Sequence, residues 1–373
     1  MPNDSNTSPF NFRGCFLLHS NIKPTFRSPP LAGIEKVEMN LPTRILLDTN
    51  VWSAFARDGL GSDLFRAVKT ADATLVVPPL VLYEALATPS AESRRRLVSL
   101  LTMRTWKRLM PEGYTQCLEI ISEIKRLRPE WLRSHPDMQR FTKQRYDWTR
   151  KTGGLWERAR FHTEETRTFL GISDGWSRAL LEQARWGSQE QRRLVHSQGI
   201  RAIGPLKNFT ATFPDNSPEG IGNEPFQLWR VSTWSCTRKA LEIPRHPYRD
   251  WLEPLLNFDL IECSETSWNR FWLREIAEAE MPRLWLQWAF EMLQSTQKVT
   301  PGTPGDAALS NYLPECDLVI SADANFIRNV ARIRDDAPSY IPDAAHVPAG
   351  SGMVAETLTL IGGRKHQKPK ASL

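Results

Sequence analysis

Cysteine is scarce. Only five occur in 373 residues (Cys15, Cys117, Cys236, Cys263 and Cys316), and none lies within four positions of another. That spacing excludes a C-x-x-C zinc or dithiol motif, and an odd, dispersed set fits reduced thiols in a cytosolic protein. The seven histidines show no paired ligand spacing, so no histidine-built zinc site is indicated. No apolar run approaches the ~20 residues of a membrane helix. Near the N-terminus "CFLLHS" is too short, and its flanks too polar, for a signal-peptide core. The expectation is a cytoplasmic protein with no membrane partner. There is no internal repeat. The net charge of +6 is a mild excess, compatible with polyanion binding without establishing it.

Other residues are abundant. Hydrophobic content of 40% and charged content of 24% are those of a globular protein, but 14 tryptophans and 27 prolines are unusual. They predict an aromatic core and many firm breaks. The length suggests two domains, or one domain with a large insertion. Residues 1–43 are rich in Asn, Ser, Pro and Thr without a period and read as a disordered extension. Met39, five residues before Arg44, is a plausible alternative start.

From residue 44 strand and helix patterns alternate. "RILLD" and "ATLVVP" are continuous apolar runs, as expected of parallel strands buried on both faces, and "TWKRLMP" is a weaker third. Helices are predicted at "NVWSAFARDG", "SDLFRAVKTA", "PLVLYEALATP" and "SAESRRRLVSLLTM", the last capped by Ser90. "EGYTQCLEIISEIKRLRPEWL" places Cys117, Ile120, Ile121, Ile124 and Leu127 on one face. The alternation returns near 303 with the helix "TPGDAALSNYLPE", the strand "CDLVISAD" and the helix "ANFIRNVARIR". This argues for an α/β fold with an open, mostly parallel sheet, in two parts at 44–130 and 301–345. Residues 131–300 read instead as an all-α inserted domain that holds twelve of the tryptophans. Pro282 should kink or divide its last long helix. Residues 346–373 read as a tail, basic at its end.

Open α/β sheets bind ligands at the carboxyl ends of their strands. Asp48 ends the first strand, Asp323 follows "LVIS", Glu84 lies in the helix after the second strand, and Asp306 opens a later helix. Each alone has an ordinary explanation: a helix cap for the aspartates, a surface carboxylate for Glu84. Gathered at one rim, four carboxylates would repel, and some would stay protonated unless a cation joined them. Hard oxygen ligands suit Mg2+ or Mn2+, which can activate water and neutralise charge at a phosphodiester. Thr49, Asn50, Ser321 and Asp317 are polar groups of the kind that orient a neighbouring carboxylate or a water, with packing, capping or bonding to local backbone amides as the alternative role of each.

These four stretches, "LLDTNVW", "VVPPLVLYEAL", "PGDAALSNYL" and "LVISADANFIRNV", resemble PIN-domain nucleases in kind and in order. The resemblance covers roughly 44–130 and 303–345. It implies a PIN-like three-layer fold. It also implies a metal-dependent endonuclease, most often a ribonuclease, with Asp48, Glu84, Asp306 and Asp323 as catalytic metal ligands. Toxin-type members further imply an antitoxin or other regulatory partner, although nothing in this chain marks a site for one. The departure is the gap of 222 residues between Glu84 and Asp306, which puts the substrate class in doubt.

Positive charge is concentrated between Arg94 and Arg160, with 17 Lys/Arg against 7 Asp/Glu. Candidate nucleic-acid contacts are Arg94, Arg95, Arg96, Lys107, Arg108, Lys125, Arg126, Arg128, Lys143, Arg145, Arg150 and Lys151. Trp131, Tyr146, Trp148 and Trp156 are interleaved with them as rings for bases, against the alternative of a solvated face over core tryptophans. The tryptophans of "TSWNRFWLREIAEAEMPRLWLQWAF" recur at helical spacing and are expected in the core. Two other functions compete. A HAD-like phosphohydrolase would use Asp48 as nucleophile with Asp335 or Asp336, but Asn50 stands where such chemistry wants its general acid. A catalytically inactive PIN-like scaffold would bind RNA or protein, but would not need all four acids.

Overall fold

Three uninterrupted apolar runs build the centre of the molecule, which the computed structural model describes for residues 42–150, 152–173, 175–197, 204–213, 218–244, 246–300 and 303–363. Lys151, the N-terminal extension as far as residue 41, and residues 364–373 lie outside the described residues. The strands are β1 (Thr43–Leu47), β2 (Ala73–Val77), β3 (Lys107–Arg108), β4 (Thr210–Ala211), β5 (Phe226–Gln227), β6 (Leu318–Ser321) and β7 (Asp343–His346). Before the long central segment come helices α1 (Thr49–Asp58), α2 (Gly61–Thr70), α3 (Pro79–Ala87), α4 (Ala91–Leu101) and α5 (Glu112–Leu127). Within it are α6 (Met138–Thr149), α7 (Leu155–Phe161), α8 (Thr163–Phe169), α9 (Trp176–Ser197), α10 (Leu228–Glu242), α11 (Pro247–Leu252), α12 (Phe258–Glu262), α13 (Glu265–Arg270) and α14 (Pro282–Ser295). The chain closes with α15 (Thr303–Ser310), α16 (Ala324–Ile333) and α17 (Met353–Gly363). No described helix is long and apolar enough to cross a membrane.

The main sheet has five parallel strands in the order β3-β2-β1-β6-β7. In register, Ile45 lies between Leu75 and Leu318, and Leu46 between Val76 and Val319; all six side chains are buried. That explains why these strands read as continuous apolar runs rather than alternating ones. From β1 the chain steps outward to β2 and β3; from β6 it steps outward the other way to β7. Right-handed crossovers then set α1 and α2 on one face and α16 on the other. Contacts agree: α1, α2, α4 and α17 pack together, while α14 joins α5, α15 and α16. Between β1 and β6 the winding reverses, and there an open parallel sheet leaves a crevice at its carboxyl edge.

Local signals explain the element ends. Ser90 caps α4 by accepting from the N–H of Ser93, as its sequence suggests. α1 stops at Gly59, whose φ of +70° is a left-handed conformation open to glycine. Pro282 does divide the long helical stretch. A π-helical turn at Phe271–Glu275 and a short 3-10 turn at Glu278–Glu280 precede it, and α14 begins at the proline, where its missing N–H costs no bond.

Three sequence expectations need correction. The central segment is not purely helical, because β4 and β5 pair antiparallel within it. Residues 346–373 are not only a tail, because α17 packs on α1 and α2 with Met353, Val354 and Ile361 buried. And β7 was not anticipated at all. The buried apolar residues also form one continuous cluster running through both the sheet region and the central helices. Phe290 of α14, for instance, meets Phe326 of α16 with ring centroids 5.6 Å apart. Trp268, Trp272, Trp285 and Trp288 are all buried in this core, as their spacing predicts.

Candidate active site

Asp48 follows the last residue of β1, and its N–H donates to the carbonyl of Ile320 at 3.0 Å. This extends the β1–β6 ladder by one rung and sets Asp48 beside Ser321. Its carboxylate caps α1. Oδ1 accepts from the Thr49 N–H at 2.6 Å; Oδ2 accepts from Asn50 Nδ2 at 2.7 Å and from Ser321 Oγ at 2.6 Å. Asn50 Oδ1 accepts in turn from the Ala322 N–H at 3.2 Å, tying α1 to the end of β6. Ser321 Oγ also accepts from the Asp323 N–H at 2.9 Å. Ser321 and Asn50 therefore orient Asp48. Thr49 does so only through its backbone, for its hydroxyl donates to Glu84 Oε2.

Glu84 reaches the rim from α3, whose first residue, Pro79, directly follows the loop after β2. Asp306 comes from the first turn of α15. Asp323 caps α16, its Oδ1 accepting from the N–H groups of Asn325 at 2.7 Å and Phe326 at 3.1 Å. All four acids, with Thr49, Asn50, Leu80, Gly305 and Leu309, line one cavity of about 170 Å³.

The electrostatics follow from that enclosure. Burial pushes the Asp48 carboxyl up; the bonds from Ser321, the Thr49 N–H and Asn50 oppose the rise, and the charge of Asp323 adds to it. Burial and then the charge of Asp48 raise Glu84 to about 7, against the Thr49 hydroxyl. Asp306 rises furthest, to about 9, first through burial and then through Asp323, Asp48 and Glu84. Among the described residues its one hydrogen bond is a long one from Gln294 Nε2 at 3.5 Å. A carboxyl so poorly compensated holds its proton until a positive charge replaces it.

Among the described residues, no three acid, His or Cys side chains stand close enough to enclose an ion as arranged here. The four acids instead share the lining of a cavity of about 170 Å³, which has room for a cation with part of its hydration. That suits Mg2+ or Mn2+, which retain several waters and use few protein oxygens.

Two residues at the site carry no sequence signal of their own. A Cβ on Gly305 would collide with Glu84 Oε1, so any other residue there would displace the Glu84 carboxylate. Gln294, from the end of α14, donates to the Thr303 carbonyl as well as to Asp306. The glycine beside Asp306 was visible but reads as an ordinary helix start. Gln294 has no motif around it.

Asp317 does not belong to the site. It begins β6, at the opposite end of the sheet, and its carboxylate accepts from the N–H and guanidinium of Arg44 at 2.8 to 3.2 Å.

The basic candidates separate into two groups. Arg94 is buried and committed to Glu164 and the Thr88 carbonyl. Arg96 pairs with Glu92, Arg126 with Glu123, Arg128 with Glu275, and Arg150 with Asp147. Arg108 lies over the ring of buried Trp156. Arg95, Lys107, Lys125, Lys143 and Arg145 are exposed and pair with no acid among the described residues. Lys151 lies outside the described residues. Of the interleaved rings, Trp131 and Trp156 are core, which corrects their reading as base contacts; Trp148 is half-buried and Tyr146 is exposed.

Comparison with protein-family models, curated proteins and solved structures finds no match to this chain.

Proposed function

We propose that this protein is a PIN-type metal-dependent nuclease, and an endoribonuclease in particular. The observation that carries the reading is the gathering of Asp48, Glu84, Asp306 and Asp323 around one cavity at the sheet's switch point, with Asp306 raised to about 9 and no basic residue among the described residues that line it. Asp48, Glu84, Asp306 and Asp323 would hold Mg2+ or Mn2+. Once bound, such an ion neutralises charge at a phosphodiester and makes water nucleophilic near neutral pH. The chain's own part is positional. Asn50 and Ser321 fix the rotamer of Asp48 and oppose the rise that burial imposes on its carboxyl. The Thr49 hydroxyl holds Glu84 toward the same space. Leu80 and Leu309 keep part of the wall apolar, which strengthens every charge interaction inside it.

The aspartyl-phosphate alternative gains less. Both Asp48 oxygens already accept hydrogen bonds. Asp335 and Asp336 lie past the far end of α16, where Asp336 is taken up by the Leu206 N–H and Arg332. The deciding experiment assays structured RNA, single-stranded RNA and single-stranded DNA side by side, with Mg2+, Mn2+ or EDTA, for wild type and Asp48→Asn. Cleavage that needs the metal and Asp48 supports the reading; no metal-dependent cleavage of any of the three rejects it.

A further inference from the structure

Of the five exposed Phe, Tyr and Trp rings among the described residues, three lie on the consecutive helices α6, α7 and α8, the others being Trp186 and Tyr340. Tyr146 is 58% exposed, Phe161 66% and Phe169 46%. Each lies under an arginine: Arg150 over Tyr146 at 5.8 Å, Arg160 over Phe161 at 5.8 Å, Arg158 over Phe169 at 5.9 Å. Arg150 and Arg158 share one carboxylate, Asp147, which links the Tyr146 and Phe169 ends into a connected surface. From Met138 to Phe169 there are eight Lys/Arg against four Asp/Glu. Lys143 and Arg145 stand beside Tyr146, exposed and with no acid partner among the described residues.

This surface is fastened to the helix that carries Glu84. Trp148 of α6 meets Tyr83 edge-on, with centroids 6.4 Å apart, and Arg167 of α8 donates to the Leu86 carbonyl at 3.1 Å. The two contacts bracket Glu84 in sequence. Rings that reach solvent, planar cations and unpaired positive charge are what bases and phosphates of an unpaired strand require. A duplex hides its base faces and could use only the charges.

We propose that α6, α7 and α8 form a stacking platform that holds single-stranded nucleic acid beside the acid cavity, with Tyr146, Phe161 and Phe169 against bases and Lys143 and Arg145 against phosphates. This rests on the nuclease reading for its purpose but not for its test. Binding is measured in EDTA, where no cleavage is needed, by anisotropy of labelled oligouridylate, oligothymidylate and a duplex of equal length. The wild type should favour both single strands over the duplex. The combined variant Tyr146→Ala, Phe161→Ala, Phe169→Ala should lose about tenfold or more in affinity. Its ring-keeping counterpart, Tyr146→Phe, Phe161→Tyr, Phe169→Tyr, should bind as wild type does. Lys143→Gln with Arg145→Gln should flatten the salt dependence by about 1.4 log units per log unit of salt. Equal binding by the alanine variant overturns the platform, as does a duplex bound as well as the single strands or no binding at all. A changed sedimentation of the alanine variant with oligonucleotide binding intact assigns the rings to protein contact and also overturns it. Metal-dependent cleavage, assayed separately, reports on the nuclease reading whichever result is obtained.

Discussion

At Asp48 a single carboxylate closes the first turn of α1 and accepts bonds from Asn50 and Ser321 across the crevice. The two roles come apart under substitution. Asparagine is as good a helix cap as aspartate. Asp48→Asn should therefore leave the thermal midpoint within a few degrees of wild type, while metal-dependent cleavage falls more than about a hundredfold. Thermal unfolding and single-turnover cleavage on one preparation check both halves. Ser321→Ala keeps the ligand and removes its support, so a loss of about 10–100-fold is expected, in metal affinity or in rate. The pH dependence is set by Asp306. Its ordinary value is 3.8, and in the folded, metal-free protein it stands at about 9. Between those values only the folded form keeps the proton. Stability is thus fully present at acid pH and is lost as pH rises toward 9. Glu84, Glu112 and Glu119, each raised to about 7, add to the slope at lower pH. The difference between wild type and Asp306→Asn isolates the Asp306 share. In EDTA, wild type should lose more stability than the variant on going from about pH 7 to about pH 9, and Mg2+ should reduce the gap.

At the scale of elements, α15 comes near enough to α3 that a side chain at Gly305 would meet the Glu84 carboxylate. Gly305→Ala puts a good helix former into a helix, which favours the fold by up to about 1 kcal/mol, but it drives a methyl into Glu84. The expected outcome is a folded protein with impaired cleavage; circular dichroism and the cleavage assay together decide it, and full activity would show that α15 has room to move. Such tertiary approaches mark where the sequence stops being informative. β1, β2 and β6 were legible because each is an apolar run buried on both faces and followed by turn or cap residues. That Asp48, Asp306 and Asp323 would meet at one rim was legible because strand ends and helix starts are local features; Glu84, inside α3, joins them through the buried helix that follows β2. β7, "DAAH", has no apolar run, since it pairs on one side only and is partly exposed. α17 was overlooked because its apolar stretch sits next to a polar, basic end. Arg94 resembled its neighbours Arg95 and Arg96 in every sequence property, and only the position of Glu164, on α8, makes it a buried tie.

At the scale of the whole molecule, the central helices do not behave as a detachable unit. α14 covers α16 and supplies Gln294 to Asp306. Truncating the buried ring in Phe290→Ala should cost about 3–5 kcal/mol although it lies well before the closing sheet elements in sequence, and denaturant unfolding measures it. Excising residues 131–300 should give an aggregated or unstructured product rather than a small active nuclease. The bonds between Arg44 and Asp317 show the same interdependence at the far end of the sheet, bridging 273 positions. That separation has a consequence during synthesis. A ribosome that has just delivered Glu84 must add 222 more residues before Asp306 exists. At ordinary elongation speeds this takes on the order of ten to forty seconds. Until then β1 has no β6 to pair with, Asp48 has no Ser321, and two of the four acids are missing. On the nuclease reading, the chain would therefore stay inert until Asp306 and Asp323 had been added and β6 had paired with β1.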